Sequence, residues 1–235
     1  MAARPIARHL MTTRTIVFDL DGTLVDTAPD LIDSLNVLFA REGLTPIAID
    51  QGRVLIGGGV KRLIERGLSL QGRTFKPADI DDLFRDYVAY YAEHIADRSR
   101  AFPGVENALD TLARHGDRFA VCTNKLAWLS VRLLDALGLS PRFAAICGQD
   151  TFGMQKPDPE VLRRTIRAAG GALEAALMVG DSATDIMAAR AAGIPVVAVD
   201  FGYTEVPVAA FKPDRIISHF DALPGAICEL LGSPP

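Results

Sequence analysis

The sequence predicts an α/β fold: a doubly wound parallel sheet with a helical insert after its first strand. Three observations predict it. Short apolar runs, the first of them rich in β-branched residues, recur along the 235 residues. Helical patterns with stop signals separate most of them, the arrangement that a parallel sheet covered on both faces requires. The rhythm breaks between residues 27 and 101, where helical periodicity appears without convincing strands.

The strand candidates are "TIVFDL" at 15–20, "FAVCT" at 119–123, "AAIC" at 144–147, "ALMVG" at 176–180, "PVVAV" at 195–199 and "RIIS" at 215–218. Between them, "PGVENALDTLARHG" stops at Gly116, and "KLAWLSVRLLDALGL" carries apolar residues at helical spacing. "DPEVLRRTIRAAGG" starts on Asp-Pro and stops on Gly-Gly, and "SATDIMAARAAG" opens at Ser182 and closes at Gly193. In the insert, Thr27-Ala28-Pro29-Asp30 fits a capping box ahead of Leu31, Leu35, Leu38 and Phe39 on one face. Further helices are expected around 60–70 and 78–95, the second with Leu83, Tyr87, Tyr90 and Tyr91 as its core. The expected division is an α/β core of residues 1–26 and 102–235 and an α-helical cap of residues 27–101.

Composition narrows the function. A formal net charge of −4 and a pI near 5.6 give no electrostatic basis for nucleic-acid or anionic-membrane binding. No apolar run has the length of a membrane span. The three cysteines, Cys122, Cys147 and Cys228, lack the spacing of a zinc site or a disulfide framework. Residues 1–18 hold three arginines and no acid, which reads either as a frayed basic tail or as a start that functionally belongs at Met11. "GSPP" reads as a loose end. A cytoplasmic protein, a monomer or small homo-oligomer, is the expectation.

In a doubly wound sheet, function sits at the carboxyl ends of the strands. Four stretches fall there. In "DLDGT", Asp19 and Asp21 are two apart, so on extended chain both carboxylates face one spot. Two acids held that close repel unless a cation or a reacting group joins them. An EF-hand reading fails, because its glycine and glutamate places hold Leu24 and Asp30. Thr123 and Asn124 end the second run; alone, Asn124 reads as the cap of the next helix. Lys156, in "MQKPDPE", alone reads as a loop residue. In "VGDSATD", Asp181 ends a strand, while Asp185 also fits a capping box with Ser182. Together these are strand-end carboxylates, a hydroxyl and a lysine. Hard oxygen ligands of this kind suit Mg²⁺, and a metal with a lysine and a hydroxyl would neutralise a phosphoryl group.

"DLDGTLVDT", "CTNK", "KPDP" and "GDSATD", in this order, resemble the four motifs of the haloacid dehalogenase superfamily of phosphatases, over nearly the whole chain. The resemblance implies that Asp19 is a nucleophile forming an aspartyl-phosphate, and that Asp21 is the acid and then the base. It implies that Asp19, Asp21 (through its carbonyl) and Asp181 ligate Mg²⁺, and that Thr123 and the Asn124 amide hold phosphoryl oxygens. Lys156 would stabilise charge, and Asp185 would orient Lys156 or a metal water. Dehalogenases and phosphonatases of the superfamily lack an aspartate matching Asp21. Leu31 stands where its β-phosphoglucomutases carry a histidine. "DTAPDLIDSLN", "LIGGGVKRLIERGL" and "FGYTE" resemble the branch that hydrolyses 2-phosphoglycolate. The alternatives are another small-phosphate hydrolase, acting on a sugar phosphate, a nucleoside monophosphate or pyrophosphate, and a non-catalytic binding module.

"IGGGVKR" breaks the Walker pattern at Gly59-Val60-Lys61. It reads either as a flexible turn or as a cap loop in which Gly58, Gly59, Lys61 and Arg62 meet a small substrate carboxylate. Trp128 reads as packing or a surface patch, and His9, His94, His115 and His219 have no metal-ligand spacing.

Overall fold

The computed structural model describes residues 13–73 and 76–232, so most of the basic tail, with His9 and Met11, and the last three residues lie outside the described residues. All six expected strands form one parallel sheet. They are β1 (Thr15–Phe18), β4 (Arg118–Cys122), β5 (Ala145–Cys147), β6 (Ala176–Gly180), β7 (Val196–Val199) and β8 (Arg215–Ile217). Their order is β5-β4-β1-β6-β7-β8. The chain builds outward from β1 through β4 to β5, then returns to the other side of β1 and builds through β6 to β8. The direction of winding therefore reverses between β1 and β6, whose residues pair from Thr15↔Ala176 to Phe18↔Val179.

Alternation along the strands gives the sheet two buried faces. Ile16, Phe18, Phe119, Val121, Leu177 and Val179 point to one. Against them pack α5 (Val105–Arg114), α6 (Ala127–Ala136) and α9 (Leu223–Leu231). Val17, Ala120, Cys122 and Met178 point to the other, covered by α7 (Pro159–Ala168) and α8 (Ala183–Ala192). Cys122 and Cys147 are buried as expected of small hydrophobes.

Between β1 and α5 lie α1 (Ala28–Arg41), α2 (Ile49–Arg53), α3 (Val60–Leu70) and α4 (Pro77–Glu93). Leu31, Leu35, Phe39, Leu63, Ile64, Leu83, Tyr87 and Tyr91 form their apolar interior, which is continuous with one face of the sheet. Tyr90 is only partly buried and stacks on His94. The chain enters and leaves this helical region on two antiparallel strands, β2 (Val25–Asp26) and β3 (Arg100–Ala101), too short to stand out in the sequence.

The capping box expected at Thr27 does not form. The Asp30 carboxylate instead accepts from the backbone of Arg98 and Ser99 and from Ser99 Oγ, at 2.6–3.1 Å. The returning chain offers three donors, and they outcompete a single cap bond. Thr27 Oγ1 is left buried without a hydrogen-bond partner.

Candidate active site

The reversal between β1 and β6 creates a crevice at their carboxyl ends, and the strand-end acids line it. Asp19 continues the ladder past β1, its N–H donating to Val179 O at 2.9 Å. The next residues double back tightly: Val25 N–H donates to Leu20 O, and Gly22 N–H to Val25 O, both at 3.0 Å. Gly22 is required twice over. Its φ is +83°, and a Cβ there would lie 2.5 Å from Asp181 Oδ2. This turn leaves Asp19 and Asp21 facing the same cavity as Asp181.

Asp181 follows β6. Its Oδ2 accepts from Tyr203 N–H at 2.7 Å and its Oδ1 from the Thr23 hydroxyl at 3.1 Å. Asp185, in the first turn of α8, accepts from Ser182 N–H and Oγ, so the capping box forms there. Its other oxygen takes Lys156 Nζ at 2.6 Å, and Lys156 Nζ also lies 2.9 Å from Asp19 Oδ1. Capping and site contact are thus compatible, one oxygen serving each.

Lys156 is held from behind. Asn124 donates through Nδ2 to Lys156 O at 3.0 Å and accepts from Lys156 N–H at 2.9 Å. Asn124 therefore does not cap the following helix, whose N-cap residue is Leu126. Its amide clamps the Lys156 backbone across the gap between β4 and α7. Thr123 is buried at the end of β4, its Oγ1 accepting from Lys125 N–H, which leaves the hydroxyl proton free to donate.

The electrostatics are one-sided. Burial pushes the Asp181 carboxyl up to about 8, with Asp185 and Asp19 adding repulsion. Burial also pushes Asp19 up to about 6, although the Lys156 charge opposes it. Burial pulls the Lys156 ammonium down, but Asp185 and Asp19 hold it above its ordinary range. One oxygen from each of Asp19, Asp181 and Asp185 lies within 4.8 Å of the others. An all-oxygen donor set with excess negative charge and one lysine fits a hard divalent cation.

The cap-loop expectation divides. Gly57, Gly58 and Gly59 line the cavity, with Leu31, Ile56, Val60 and Leu63 as apolar wall. Lys61 does not reach it. Its Nζ is exposed, pairs with Asp81 Oδ1 at 2.5 Å and lies over the Phe84 ring. Arg62 is exposed too and borders an outer groove with Glu65 and Gln155, on the other side of Gly58, Gly59 and Val60, which line both. Both residues sit in α3 just beyond the glycines, and the helix turns them outward.

Three contributors were not picked out from the sequence. Lys125 lies 3.0 Å from Asp21 Oδ1. Thr23 and Tyr203 hold Asp181. Lys125 lies within "CTNK" and Tyr203 within "FGYTE", so motif membership was the available signal. Trp128 is half exposed on α6.

Residues 16–199 match the haloacid dehalogenase-like hydrolase family. A phosphoglycolate phosphatase of Mesorhizobium japonicum is 50% identical over 221 residues, covering 94% of this chain and 97% of that protein. A crystal structure described as that of a predicted phosphoglycolate phosphatase from Haemophilus somnus superposes with a TM-score of 0.83 at 30% identity, over 90% of this chain and 96% of the other. A variant of CbbY from Rhodobacter sphaeroides, in complex with xylulose-(1,5)-bisphosphate, superposes with a TM-score of 0.73 at 26% identity, over 88% and 95%.

Proposed function

The chain belongs to the haloacid dehalogenase-like hydrolases, and from that premise we propose that it is a Mg²⁺-dependent phosphomonoester hydrolase acting on 2-phosphoglycolate through an aspartyl-phosphate. The observation that carries this reading is the convergence of Asp19, Asp21, Asp181 and Thr123 on one cavity at the sheet's switch point, with Lys156 bonded to Asp19 from beneath.

Asp19 attacks phosphorus with a carboxylate oxygen, and the bond from phosphorus to the bridging oxygen breaks. Asp21 gives that oxygen a proton and leaves as carboxylate. It then takes a proton from a water that attacks the aspartyl-phosphate, releasing phosphate and restoring Asp19. Lys156 opposes the charge on Asp19 and the phosphoryl group, and Thr123 Oγ1 donates to a phosphoryl oxygen. Asn124 and Asp185 position Lys156. Asp19 and Asp181, with the Asp21 carbonyl, would hold Mg²⁺, which supplies charge neutralisation of the phosphoryl oxygens when bound. Asp185 orients Lys156 in the same cluster.

Residues 27–101 act as the cap over this chemistry, with the paired strands β2 and β3 as its connection to the core. The apolar walls that the helical region supplies narrow the cavity, which suits a short leaving group. The CbbY likeness gives a sugar phosphate as the second reading.

The test is phosphate release from 2-phosphoglycolate, glucose 6-phosphate, a nucleoside monophosphate and pyrophosphate, each with Mg²⁺ and with EDTA. A kcat/KM for 2-phosphoglycolate about 100-fold above the others, or about 2.7 kcal/mol of selective transition-state binding, is expected. A flat profile refutes the substrate. Equal turnover in EDTA refutes the metal.

A further inference from the structure

Lys125 ends the "CTNK" stretch and is buried, at 5% exposure. Its Nζ lies 3.0 and 3.2 Å from the two oxygens of Asp21 and 4.6 Å from the centre of the Tyr91 ring. It is the one cationic residue lining the cavity among the described residues, because Lys156 is withdrawn beneath Asp19 and Asp185 at 1% exposure. Lys61 and Arg62, the side chains expected to meet a substrate carboxylate, are turned to solvent.

Ordering and desolvating a lysine is costly, and a buried ion pair is weak evidence of stabilisation by itself. A role in binding accounts for the placement. Asp21 is the group that must reach the bridging oxygen of the ester. In 2-phosphoglycolate a single methylene separates that oxygen from the carboxylate carbon. A cation in hydrogen-bond contact with Asp21 on the cavity side therefore lies beside the substrate's carboxylate. Without it, that carboxylate would enter a cavity already lined by Asp19, Asp21 and Asp181.

We propose that Lys125 is the specificity-determining residue of this site: its ammonium pairs with a carboxylate on the leaving group while holding Asp21 against the leaving oxygen. This rests on the phosphoglycolate reading. An ammonium carries three N–H donors, enough to bridge two carboxylates. Tyr91 belongs to α4, so the helical region completes the seat of the cation and shields it from water. The backbone of Gly57–Gly59 walls the same space without adding a charge.

The measurement is a ratio of kcat/KM values, for 2-phosphoglycolate over 2-hydroxyethyl phosphate, which has the same skeleton and no carboxylate. Wild type is expected to favour 2-phosphoglycolate. Lys125→Gln is expected to lower the ratio about 10- to 100-fold, since the lost bond joins two charges. Lys125→Arg keeps the charge and should retain most of the ratio. If Lys125→Gln does not fold, inhibition of p-nitrophenyl phosphate turnover in wild type is read instead: free glycolate should inhibit more strongly than ethylene glycol, and equal inhibition by the two overturns the proposal. Equal losses on both substrates in Lys125→Gln would mean a structural role and overturn the inference while leaving the phosphatase reading intact. A wild type that does not distinguish the two substrates overturns both the inference and the substrate. A wild type that hydrolyses neither, even with Mg²⁺, overturns the function itself.

Discussion

The sheet carries a buried charge cluster at each end, and the two differ in their bookkeeping. At the amino end, Arg14 and Asp117 meet in a two-bond pair at 2.6 and 2.7 Å, and the guanidinium also donates to Gly232 O at 2.8 Å. One cation faces one anion, and the bond to Asp117 holds the guanidinium above its ordinary range. At the carboxyl end, Asp19, Asp21, Asp181 and Asp185 face, among the described residues, two cations, Lys125 and Lys156. There burial and mutual repulsion push Asp19 and Asp181 up instead. Charge balance marks a structural pair. Imbalance marks a site built around something the chain itself does not supply, which in the function proposed above is a divalent cation.

The largest effect should come from the imbalanced end and fall on rate alone. Asp19→Asn removes the nucleophile and one repelling charge. Turnover of 2-phosphoglycolate should fall by roughly 10⁴-fold or more, while the metal-free protein melts no lower than wild type. A melting temperature well below wild type would mean that the carboxylate is structural.

The balanced end should show the reverse. Arg14→Met strands the buried Asp117 carboxylate and should cost about 3–5 kcal/mol in urea unfolding. Per-molecule kcat of the folded fraction should be unchanged. A kcat loss exceeding the loss of folded protein would show that the two ends communicate.

Proton and metal dependence should sharpen the contrast. An ordinary carboxyl titrates near 4, whereas folded Asp19 and Asp181 titrate at about 6 and about 8. Between these values the folded state binds more protons than the unfolded one, so stability rises as pH falls through that window. Metal-free protein should therefore melt higher at pH 6 than at pH 8.5. Mg²⁺ should reverse the trend by binding the ionised form, adding about 2.7 kcal/mol at 100 times its Kd. Asp26 works in the opposite sense: its pKa is lowered despite burial because Arg53 and Tyr203 bond it, so its contribution is lost only in more acid solution. A metal-free melting curve that is flat from pH 6 to 8.5 would remove the repulsion.

What could be read from the chain follows from distance along it. The six strands and most helices were legible because periodicity and stop signals are local. The acids of the site were legible because a strand end places residues two apart on one side. The double use of Asp185 was legible as two rival readings, and its two oxygens reconcile them. Arg14 and Asp117, 103 positions apart, carry no local signal. Lys125 lies one residue past a recognisable pair, yet its direction depends on Asp21, 104 positions away. The same blindness produced the misreading of the cap at Thr27 and the rival cap reading of Asn124. Thr27 and Asn124 have the right types for helix starts, and partners distant in sequence claimed Asp30 and Asn124 instead.

A smaller effect is expected where the helical region joins the core. Tyr203 Oη accepts from Ala28 N–H at 2.9 Å and donates to Asp26, while its own N–H holds Asp181. Arg53 of α2 completes the junction with a two-bond pair to Asp26. Tyr203→Phe leaves a buried N–H without its partner and should cost about 1–3 kcal/mol of stability. The backbone bond to Asp181 survives, so Mg²⁺ affinity should hold within a few-fold. A large loss of affinity would make the hydroxyl part of the metal site.

The smallest effect tests where the substrate's carboxylate is read. Lys61 and Lys125 are both lysines close to the cavity in sequence terms, one beyond the glycine loop and one beyond the Thr-Asn pair. Lys61 is half exposed and paired with Asp81 across α3 and α4. An exposed pair of this kind contributes about 0–1 kcal/mol. Lys61→Ala should thus barely move the melting temperature and leave the KM for 2-phosphoglycolate unchanged. Lys61 lies in the first turn of α3 and does not line the cavity, whereas Gly59, just before the helix, does. If KM rises several-fold in Lys61→Ala and not in Lys125→Gln, the helical region reads the substrate from outside and the buried lysine serves Asp21 alone.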